Sequence, residues 1–251
     1  MRLANKVALI TGGSRGIGKA VALSLAREGA RVAVVSRDET RCNEVVTQIL
    51  KNGPHALAVP ADVSREVDVA RMVEQTKGKF QRVDILVNSA AVNLPYRAVT
   101  ELSLDEWNWV VSVNLTGTFL CCRAVLPQMI AQRSGKIINF ASLGGRIGAP
   151  GRTPYRASKA AVIHFTACLA AEVKEFDIDV NAICPGAVET DMLREITGGK
   201  MPAHAMPPED IAAVTVFLAS DESRAITGTA IDAFGRGNPL FGTPPSVRRP
   251  K

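Results

Sequence analysis

A chain of 251 residues with 47% hydrophobic and 22% charged residues has the balance of a globular protein, which excludes a disordered chain. The net charge of +6 would suit an acidic ligand, but basic residues are scattered among acids and only 5% of residues are aromatic, so we expect no nucleic-acid partner. The apolar segment near the N-terminus is too short for a signal peptide or a membrane span, and the five cysteines have neither metal-ligand nor disulfide spacing. These features predict a cytoplasmic protein with no metal site and no membrane contact.

Apolar runs of strand length alternate along the chain with longer segments of helical period. This alternation predicts an α/β fold, a single doubly wound Rossmann domain with about seven parallel strands and helices on both faces. The predicted strands are Lys6–Thr11, Arg31–Ser36, Ala56–Ala61, Ile85–Ser89, Gly135–Ala141, Asp179–Cys184 and Ala230–Phe234. The predicted helices are Gly16–Glu28, Thr40–Asn52, Glu66–Phe80, Leu104–Arg133, Pro154–Glu175 and Pro208–Ser220.

One domain is expected to cover residues 1–251, because the sequence has no interdomain linker and no repeat of fixed period. Two segments lack a regular pattern. Residues 187–206 are predicted to form a mobile flap over the substrate, and residues 236–251 are predicted to form a C-terminal arm.

A glycine-rich loop follows the first predicted strand and opens the first predicted helix, which is the context that a dinucleotide-binding loop requires. Glycines at these positions permit a tight turn, close approach of the backbone to a pyrophosphate and close packing of helix on strand. The helix N-terminus adds partial positive charge. The loop residues expected to bind the cofactor are Gly12, Ser14, Arg15, Gly16, Ile17 and Gly18.

The end of the second predicted strand bears on the choice between the two nicotinamide cofactors. A carboxylate there would bind the adenosine ribose hydroxyls, but the position holds Ser36, with Arg37 next to it. A guanidinium binds phosphate in a bidentate manner, and Arg15 could approach the same group. We therefore expect NADP(H) rather than NAD(H). The alternative is that Asp38 reaches back to the ribose while both arginines point to solvent.

Tyr155 and Lys159 are four residues apart and follow Ser142 by 13 and 17 positions. Residues at i and i+4 share one face of a helix, so the lysine ammonium would lie beside the phenol and lower its pKa. This would make Tyr155 an acid-base catalyst, with the Ser142 hydroxyl orienting the substrate oxygen. Such pairs are also common on solvated helix faces, so the pair by itself does not establish a site.

With the glycine loop, Ser142 and the Tyr155/Lys159 pair in this order, the chain resembles the short-chain dehydrogenase/reductase family over almost its whole length. The resemblance implies hydride transfer between a nicotinamide and a carbonyl or secondary alcohol. It implies a catalytic tetrad of Asn114, Ser142, Tyr155 and Lys159, in which Lys159 also binds the nicotinamide ribose and Asn114 places a water. Further implied cofactor contacts are Asp62, Val63, Asn88, Ala90, Pro185, Gly186, Val188 and Thr190.

The loop and the expected NADPH preference are most similar to those of bacterial 3-oxoacyl thioester reductases, which implies an acyl carrier protein as a possible partner. Dehydrogenases of sugars, cyclic alcohols or diols have the same type of loop and remain an alternative, and a non-catalytic dinucleotide sensor is a third. Apolar faces on Leu104–Arg133 and Pro154–Glu175 indicate a homodimer or homotetramer, as in the family.

Overall fold

The computed structural model describes residues 1–51, 53 and 55–237. Its strands are β1 (Val7–Thr11), β2 (Arg31–Ser36), β3 (Ala56–Pro60), β4 (Ile85–Asn88), β5 (Gly135–Phe140), β6 (Ile178–Pro185) and β7 (Ala230–Ala233). They form one parallel sheet in the order β3-β2-β1-β4-β5-β6-β7. The predicted doubly wound α/β fold with about seven parallel strands is therefore confirmed.

Helices cover both faces of this sheet. They are α1 (Gly16–Arg27), α2 (Glu39–Leu50), α3 (Glu66–Phe80), α4 (Leu104–Val111), α5 (Gly117–Gln132), α6 (Thr153–Val173), α7 (Asp191–Ile196) and α8 (Pro208–Ala219). The first, second and eighth helices pack on one face, and the third, fifth and sixth pack on the other. Because neither face meets water, the strands are almost entirely apolar.

The alternation of side chains along β1 shows how one strand serves both layers. Ala8 and Ile10 belong to the core beneath α1, α2 and α8, whereas Val7 and Leu9 belong to the core beneath α3, α5 and α6. All four side chains are fully buried. Successive strand residues point to opposite faces, so an apolar run of this length fills two cores at once.

The strand order reverses between β1 and β4. The chain runs outward from β1 through β2 to β3, and then returns to β4 on the other side of β1. In a sheet of this kind the loops at the carboxyl ends of the two strands diverge, and a crevice opens between them. This topology places the glycine loop after β1 beside the residues that follow β4.

Most predicted boundaries differ from the observed ones by one or two residues, because terminal turns fray and end strands pair only in part. The predicted helix Leu104–Arg133 is three helical segments in series, since a π-helical turn at Ser112–Thr116 joins α4 to α5. The prediction of an irregular segment at 187–206 missed the six-residue helix α7. The end of the predicted helix at Asn52 and most of the predicted C-terminal arm lie outside the described residues.

One helical stretch in the described part of the chain, Leu104–Gln132, is long and apolar enough to cross a membrane by length and composition alone. Half of its apolar window is buried inside the protein. Core helices pass the same test, and α5 packs against α3 and the sheet. This stretch is therefore weak support for a membrane span.

A buried carboxylate ties the amino end of β1 to the chain just before β4. Asp84 is 3% exposed, and its Oδ2 accepts a hydrogen bond from the backbone nitrogen of Val7 at 2.8 Å. Arg82 donates to the same carboxylate from Nε and Nη2 at 2.6–3.0 Å. Arg82 thus neutralises the carboxylate charge of Asp84. Removal of this carboxylate would leave the buried Val7 amide without a hydrogen-bond partner.

We expect Asp84→Ala to lower the free energy of unfolding by about 2–4 kcal/mol, because the variant leaves the buried Val7 amide unpaired and removes the buried carboxylate that Arg82 binds. The measurement is urea denaturation at neutral pH. Glu44→Ala, at an exposed position of α2, is the control and should change stability by less than about 0.5 kcal/mol. Equal stability of the two variants would contradict this account of Asp84.

Candidate active site

A cavity of about 660 Å³ opens at the carboxyl ends of the strands, at the point where the strand order reverses. It runs from the glycine loop to α7. Most of the residues predicted to bind cofactor or to react line it, namely Gly12, Ser14, Arg15, Gly16, Ile17, Gly18, Ser36, Arg37, Asp62, Val63, Ala90, Ser142, Tyr155, Lys159, Pro185, Gly186, Val188 and Thr190.

The N-terminus of α1 fits a pyrophosphate. No side chain caps this helix, and its first turn contains no acidic residue, so its amides face the cavity with partial positive charge. By contrast, Asp38 caps α2, and Glu66 and Asp68 lie in the first turn of α3. The end of α1 is therefore open to an anion where these other two helix ends are occupied by carboxylates.

Two glycines of the loop have no room for a side chain. A β-carbon on Gly18 would lie 2.1 Å from the carbonyl oxygen of Gly12, and one on Gly12 would lie 2.8 Å from the backbone of Ala90. The backbone of Gly12 also has a positive φ of 65°. The loop can lie this deep between β1 and β4 only because both residues are glycine, and the depth brings the open end of α1 to the cavity.

The part of the cavity after β2 contains two guanidinium groups, those of Arg37 and Arg41, and Arg15 lines the cavity from the glycine loop. All three arginines are exposed. Arg37 Nη1 lies 3.9 Å from Asp62 Oδ2, which is a loose ion pair. Arg41 was not predicted from the sequence, although it lies only three residues after Asp38, in the first turn of α2.

Asp38 does not reach back toward the ribose position. Its Oδ1 accepts a hydrogen bond from the Arg41 backbone nitrogen at 3.0 Å as the cap of α2, and its Oδ2 lies 3.2 Å from Arg41 Nε. Both carboxylate oxygens are engaged with Arg41. The alternative in which Asp38 binds the ribose hydroxyls is therefore unsupported by this arrangement.

Asp62 and Val63 follow β3 and form the wall beside Arg37. Asp62 Oδ1 accepts hydrogen bonds from the backbone nitrogen and the hydroxyl of Ser64, at 2.9 and 2.7 Å. Burial raises the pKa of this carboxyl, but the two Ser64 hydrogen bonds and the charges of Arg37 and Arg65 together outweigh burial, and the pKa lies below its usual value. A charged, fixed carboxylate thus remains at this wall.

The structure corrects the expectation for Asn88. It is 3% exposed and does not line the cavity. Its Nδ2 donates to Asn139 Oδ1 at 2.9 Å and to Cys122 Sγ at 3.3 Å, so the side chain points into the core beneath the cavity floor. The side chain of Asn88 thus joins β4 to β5 and does not line the cavity, which leaves only its backbone for the predicted cofactor contact.

Asn114 lies in the π-helical turn and is fully buried, outside the cavity wall. Its Oδ1 accepts from the Val92 backbone nitrogen at 2.8 Å, and its Nδ2 donates to Val92 O and to Ser158 Oγ at 3.0 and 3.1 Å. The side chain therefore ties the loop after β4 to α6. The backbone carbonyl oxygen of Asn114 accepts a hydrogen bond from Thr118 Oγ1 at 2.9 Å.

The side chains of Ser142 and Tyr155 both lie next to Gly144. A β-carbon on this glycine would lie 3.5 Å from Ser142 Oγ and 3.6 Å from Tyr155 Cε1. Ser142 Oγ accepts a hydrogen bond from the Gly144 backbone nitrogen at 3.0 Å, so its own proton remains free to be donated. Burial raises the pKa of the Tyr155 phenol, and the Ser142 hydroxyl only partly opposes this. The phenol is therefore protonated at neutral pH.

Lys159 departs from the predicted role beside the phenol. Its ammonium donates to the carbonyl oxygen of Phe140 at 2.6 Å and lies 5.8 Å from the centre of the Tyr155 ring. Burial lowers the pKa of Lys159 to about 8. Burial has the largest effect on the pKa of both groups, so the Tyr155 pKa is raised although the Lys159 ammonium lies beside the ring.

The residues after β6 form the wall opposite the glycine loop. The Gly186 backbone nitrogen donates to Ala233 O at 3.0 Å, and Val188 pairs with Met206 in a short bridge. The Thr190 hydroxyl caps α7 by accepting from the Leu193 backbone nitrogen at 3.2 Å. The start of the segment 187–206 is thereby anchored to the sheet, and α7 projects over the cavity.

Two further arginines that sequence reasoning missed, Arg152 and Arg156, line the cavity beside Tyr155. Both lower the pKa of Tyr155 electrostatically, although less than burial raises it. Their positions, three residues before and one residue after Tyr155, were visible in the sequence. What the sequence could not show is that this turn of helix faces the cavity.

The low pKa of Lys159 gives a testable dependence of stability on pH. An exposed lysine has a pKa of 10.5, so burial of the ammonium destabilises the folded state fully below about pH 8 and progressively less above it. Between pH 8 and pH 10.5 we expect the wild type to gain about 3 kcal/mol of unfolding free energy relative to Lys159→Met. Urea denaturation across this range measures the gain, and parallel pH profiles would contradict it.

Comparisons with known proteins agree with this geometry. The sequence profile described as short chain dehydrogenase matches residues 6–200. A 3-oxoacyl-[acyl-carrier-protein] reductase of Synechocystis sp. is 40% identical over 240 residues, covering 93% of this chain and 97% of the relative. The (2S)-[(R)-hydroxy(phenyl)methyl]succinyl-CoA dehydrogenase subunit BbsD of Thauera aromatica is 37% identical over 249 residues, covering 96% and 99%.

The crystal structure of 3-ketoacyl-(acyl-carrier-protein) reductase from Brucella melitensis, complexed with NADH, superposes with a TM-score of 0.88. It is 34% identical, and the match covers 94% of this chain and 99% of that one. The open N-terminus of α1, the closely packed glycine loop and the neighbouring side chains of Ser142 and Tyr155 thus occur in a chain that matches the family along its length. The protein belongs to the short-chain dehydrogenase/reductase family and is an oxidoreductase that uses a nicotinamide dinucleotide.

Proposed function

We propose that this protein is a cytoplasmic, NADP(H)-dependent reductase of 3-oxoacyl thioesters. The observation that carries the reaction type is the meeting of Ser142 and a protonated Tyr155 at Gly144, in a cavity that begins at the open end of α1. The similarity to 3-oxoacyl-[acyl-carrier-protein] reductases supports the thioester class. The relative from Thauera supports it too, because its name gives a coenzyme A thioester as substrate.

When bound, the dinucleotide would supply the hydride at nicotinamide C4. Ser142, whose proton is free, would donate a hydrogen bond to the carbonyl oxygen of the substrate. Tyr155 would then give its proton to that oxygen as charge develops there. A phenol kept protonated by burial is suited to reduction at neutral pH, whereas oxidation of an alcohol would first need the phenol to lose its proton.

Lys159 would hold the nicotinamide ribose. One of its three donors is bound to the Phe140 carbonyl oxygen, which leaves two for hydroxyl groups. Pro185, Gly186, Val188 and Thr190 would line the nicotinamide, as the family resemblance implies. The backbone carbonyl of Asn114 would receive a water that returns protons from solvent, which keeps a role for this residue after its side chain is committed to Val92.

The preference for NADP(H) is supported by the charges after β2. The guanidinium groups of Arg37 and Arg41, with that of Arg15 from the glycine loop, line the part of the cavity where an adenosine 2′-phosphate would lie. Asp38, the carboxylate that the sequence offered for the ribose hydroxyls, is engaged with Arg41. A cluster of planar cations favours a phosphate over a pair of hydroxyls.

A homodimer or homotetramer is supported by aromatic side chains on the outer faces of α4 and α5. Trp107, Trp109 and Phe119 are between 37% and 41% exposed. Large aromatic side chains in contact with water are typical of surfaces that a second copy covers. An acyl carrier protein, which is acidic, would suit the net charge of +6.

The reaction is tested by NADPH oxidation with 3-oxohexanoyl N-acetylcysteamine thioester, simple ketones, sugars and cyclic diols. We expect the thioester to be the best substrate, and a sugar or a diol in that place would favour the alternative dehydrogenase. Tyr155→Phe should lower turnover by about a hundredfold to ten-thousandfold, because it removes the proton donor, while NADPH affinity is retained. Tyr96→Phe, at the chain's other tyrosine, which is 70% exposed, should leave turnover unchanged.

The cofactor preference is tested by Arg37→Ala. We expect the KM for NADPH to rise by about tenfold and the KM for NADH to stay the same, because only NADPH has the phosphate that the guanidinium binds. Arg27→Ala, at an exposed position at the other end of α1, is the control. An unchanged ratio of the two KM values in Arg37→Ala would remove this residue from the phosphate site.

A further inference from the structure

Two arginines flank Tyr155 at the substrate end of the cavity. Arg152 immediately precedes α6 with a left-handed backbone (φ 56°), and Arg156 directly follows the tyrosine. Both side chains line the cavity, and neither is fully exposed. They are therefore three residues before and one residue after the phenol, on the same turn of chain that carries the proton donor.

The aliphatic part of the Arg156 side chain lies close to Ser142 and Tyr155. A β-carbon on Gly144 would be 3.4 Å from Arg156 Cγ, 3.5 Å from Ser142 Oγ and 3.6 Å from Tyr155 Cε1. The stem of the arginine, the hydroxyl and the edge of the phenol thus surround one point. A substrate whose carbonyl oxygen meets Ser142 and Tyr155 would bring its neighbouring atoms close to the stem of this arginine.

The positive charge at this place is not balanced. Among residues 1–51, 53 and 55–237, no carboxylate lies within ion-pair distance of Arg152 or Arg156. Arg156 Nη1 donates to Ile147 O at 3.1 Å, and its buried Nε has no hydrogen-bond partner there. Asp191, which also lines the cavity, lies 3.5 Å from Arg194, and Asp232 pairs with Arg146.

Neighbouring groups strengthen this field. The first turn of α6 contains no acidic residue, and Arg152 provides no side-chain cap, so the helix end is itself positive. Burial lowers the pKa of Arg156, and the adjacent charge of Arg152 lowers it further. Two cations at one helix end repel each other, and an anion between them would relieve the repulsion.

We propose that the substrate carries a carboxylate a few atoms from the reacting carbonyl, bound by Arg152 and Arg156, so that the substrate class is the monothioester of an oxo-dicarboxylic acid. This inference rests on the proposed reduction of thioesters. A phosphate on the carrier is a poorer fit, because it lies at the far end of the pantetheine arm, away from the carbonyl. The relative from Thauera, named for a succinyl thioester, acts on a compound with a free carboxylate of this kind.

The test compares two thioesters of equal chain length. 3-Oxoadipyl N-acetylcysteamine has a terminal carboxylate where 3-oxohexanoyl N-acetylcysteamine has a methyl group, and neither carries a phosphate. With saturating NADPH we expect kcat/KM to be about tenfold to a hundredfold higher for the carboxylate, which is the usual effect of a charged hydrogen-bonded pair. Equal or lower kcat/KM for the carboxylate would overturn the proposal and leave the thioester reductase standing.

Variants assign the preference to the two arginines. Arg156→Ala and Arg152→Asn should each abolish most of it by raising KM for the carboxylate alone, and asparagine tolerates the left-handed backbone at position 152. Arg156→Lys should retain part of the preference for the carboxylate substrate, because lysine keeps the positive charge but lacks the planar guanidinium that binds a carboxylate in a bidentate manner. Arg27→Ala is the control, and thermal unfolding shows whether each variant is folded. A preference that persists in both arginine variants would refute this assignment.

A binding measurement separates this inference from the proposed reaction. Calorimetry of adipate, its dimethyl ester and inorganic phosphate with the enzyme saturated in NADP⁺ needs no turnover. We expect adipate alone to bind, and to bind about tenfold more weakly to Arg156→Ala. If no thioester is reduced but adipate binds in this way, the proposed function fails and the carboxylate site stands. Absence of adipate binding, or tighter binding of phosphate, would overturn the site.

Discussion

The close approach of the glycine loop to the end of β4 sets the geometry of the rest of this protein. Gly18 packs on the carbonyl of Gly12, and Gly12 packs on the backbone of Ala90, at distances where a β-carbon would overlap. Because of this contact the first helix begins at the floor of the crevice rather than above it. Its free amides then face the cavity, and the other walls are arranged around the anion that they would hold.

Positive charge is distributed along the cavity in three places. Guanidinium groups lie after β2, the uncapped end of α1 lies in the middle, and Arg152 and Arg156 lie beside Tyr155. The first two places match the two phosphate-bearing parts of NADP(H). The third matches no part of a dinucleotide whose nicotinamide is directed to Ser142 and Tyr155, and it is the basis for assigning an anionic group to the substrate.

Burial decides the protonation states at the reacting end more than the neighbouring charges do. It raises the pKa of Tyr155 and lowers that of Lys159, so both neutral forms are favoured relative to their states in water. A protonated phenol and a lysine anchored to the Phe140 carbonyl are ready for reduction. The buried hydrogen bonds of Asn114 fix the position of α6, and with it the position of these two groups.

The amino-acid sequence determined the fold class, the strand set and most of the cavity wall, because apolar periodicity and glycine spacing are local properties that report directly on secondary structure. It also placed Ser142, Tyr155 and Lys159 in one site. Only the tertiary structure showed that the side chain of Asn88 points into the core and that the Lys159 ammonium turns to a backbone carbonyl. Hydrogen-bond partners and burial depend on elements far apart in the chain, so no local pattern could reveal them, nor show which arginines face the cavity.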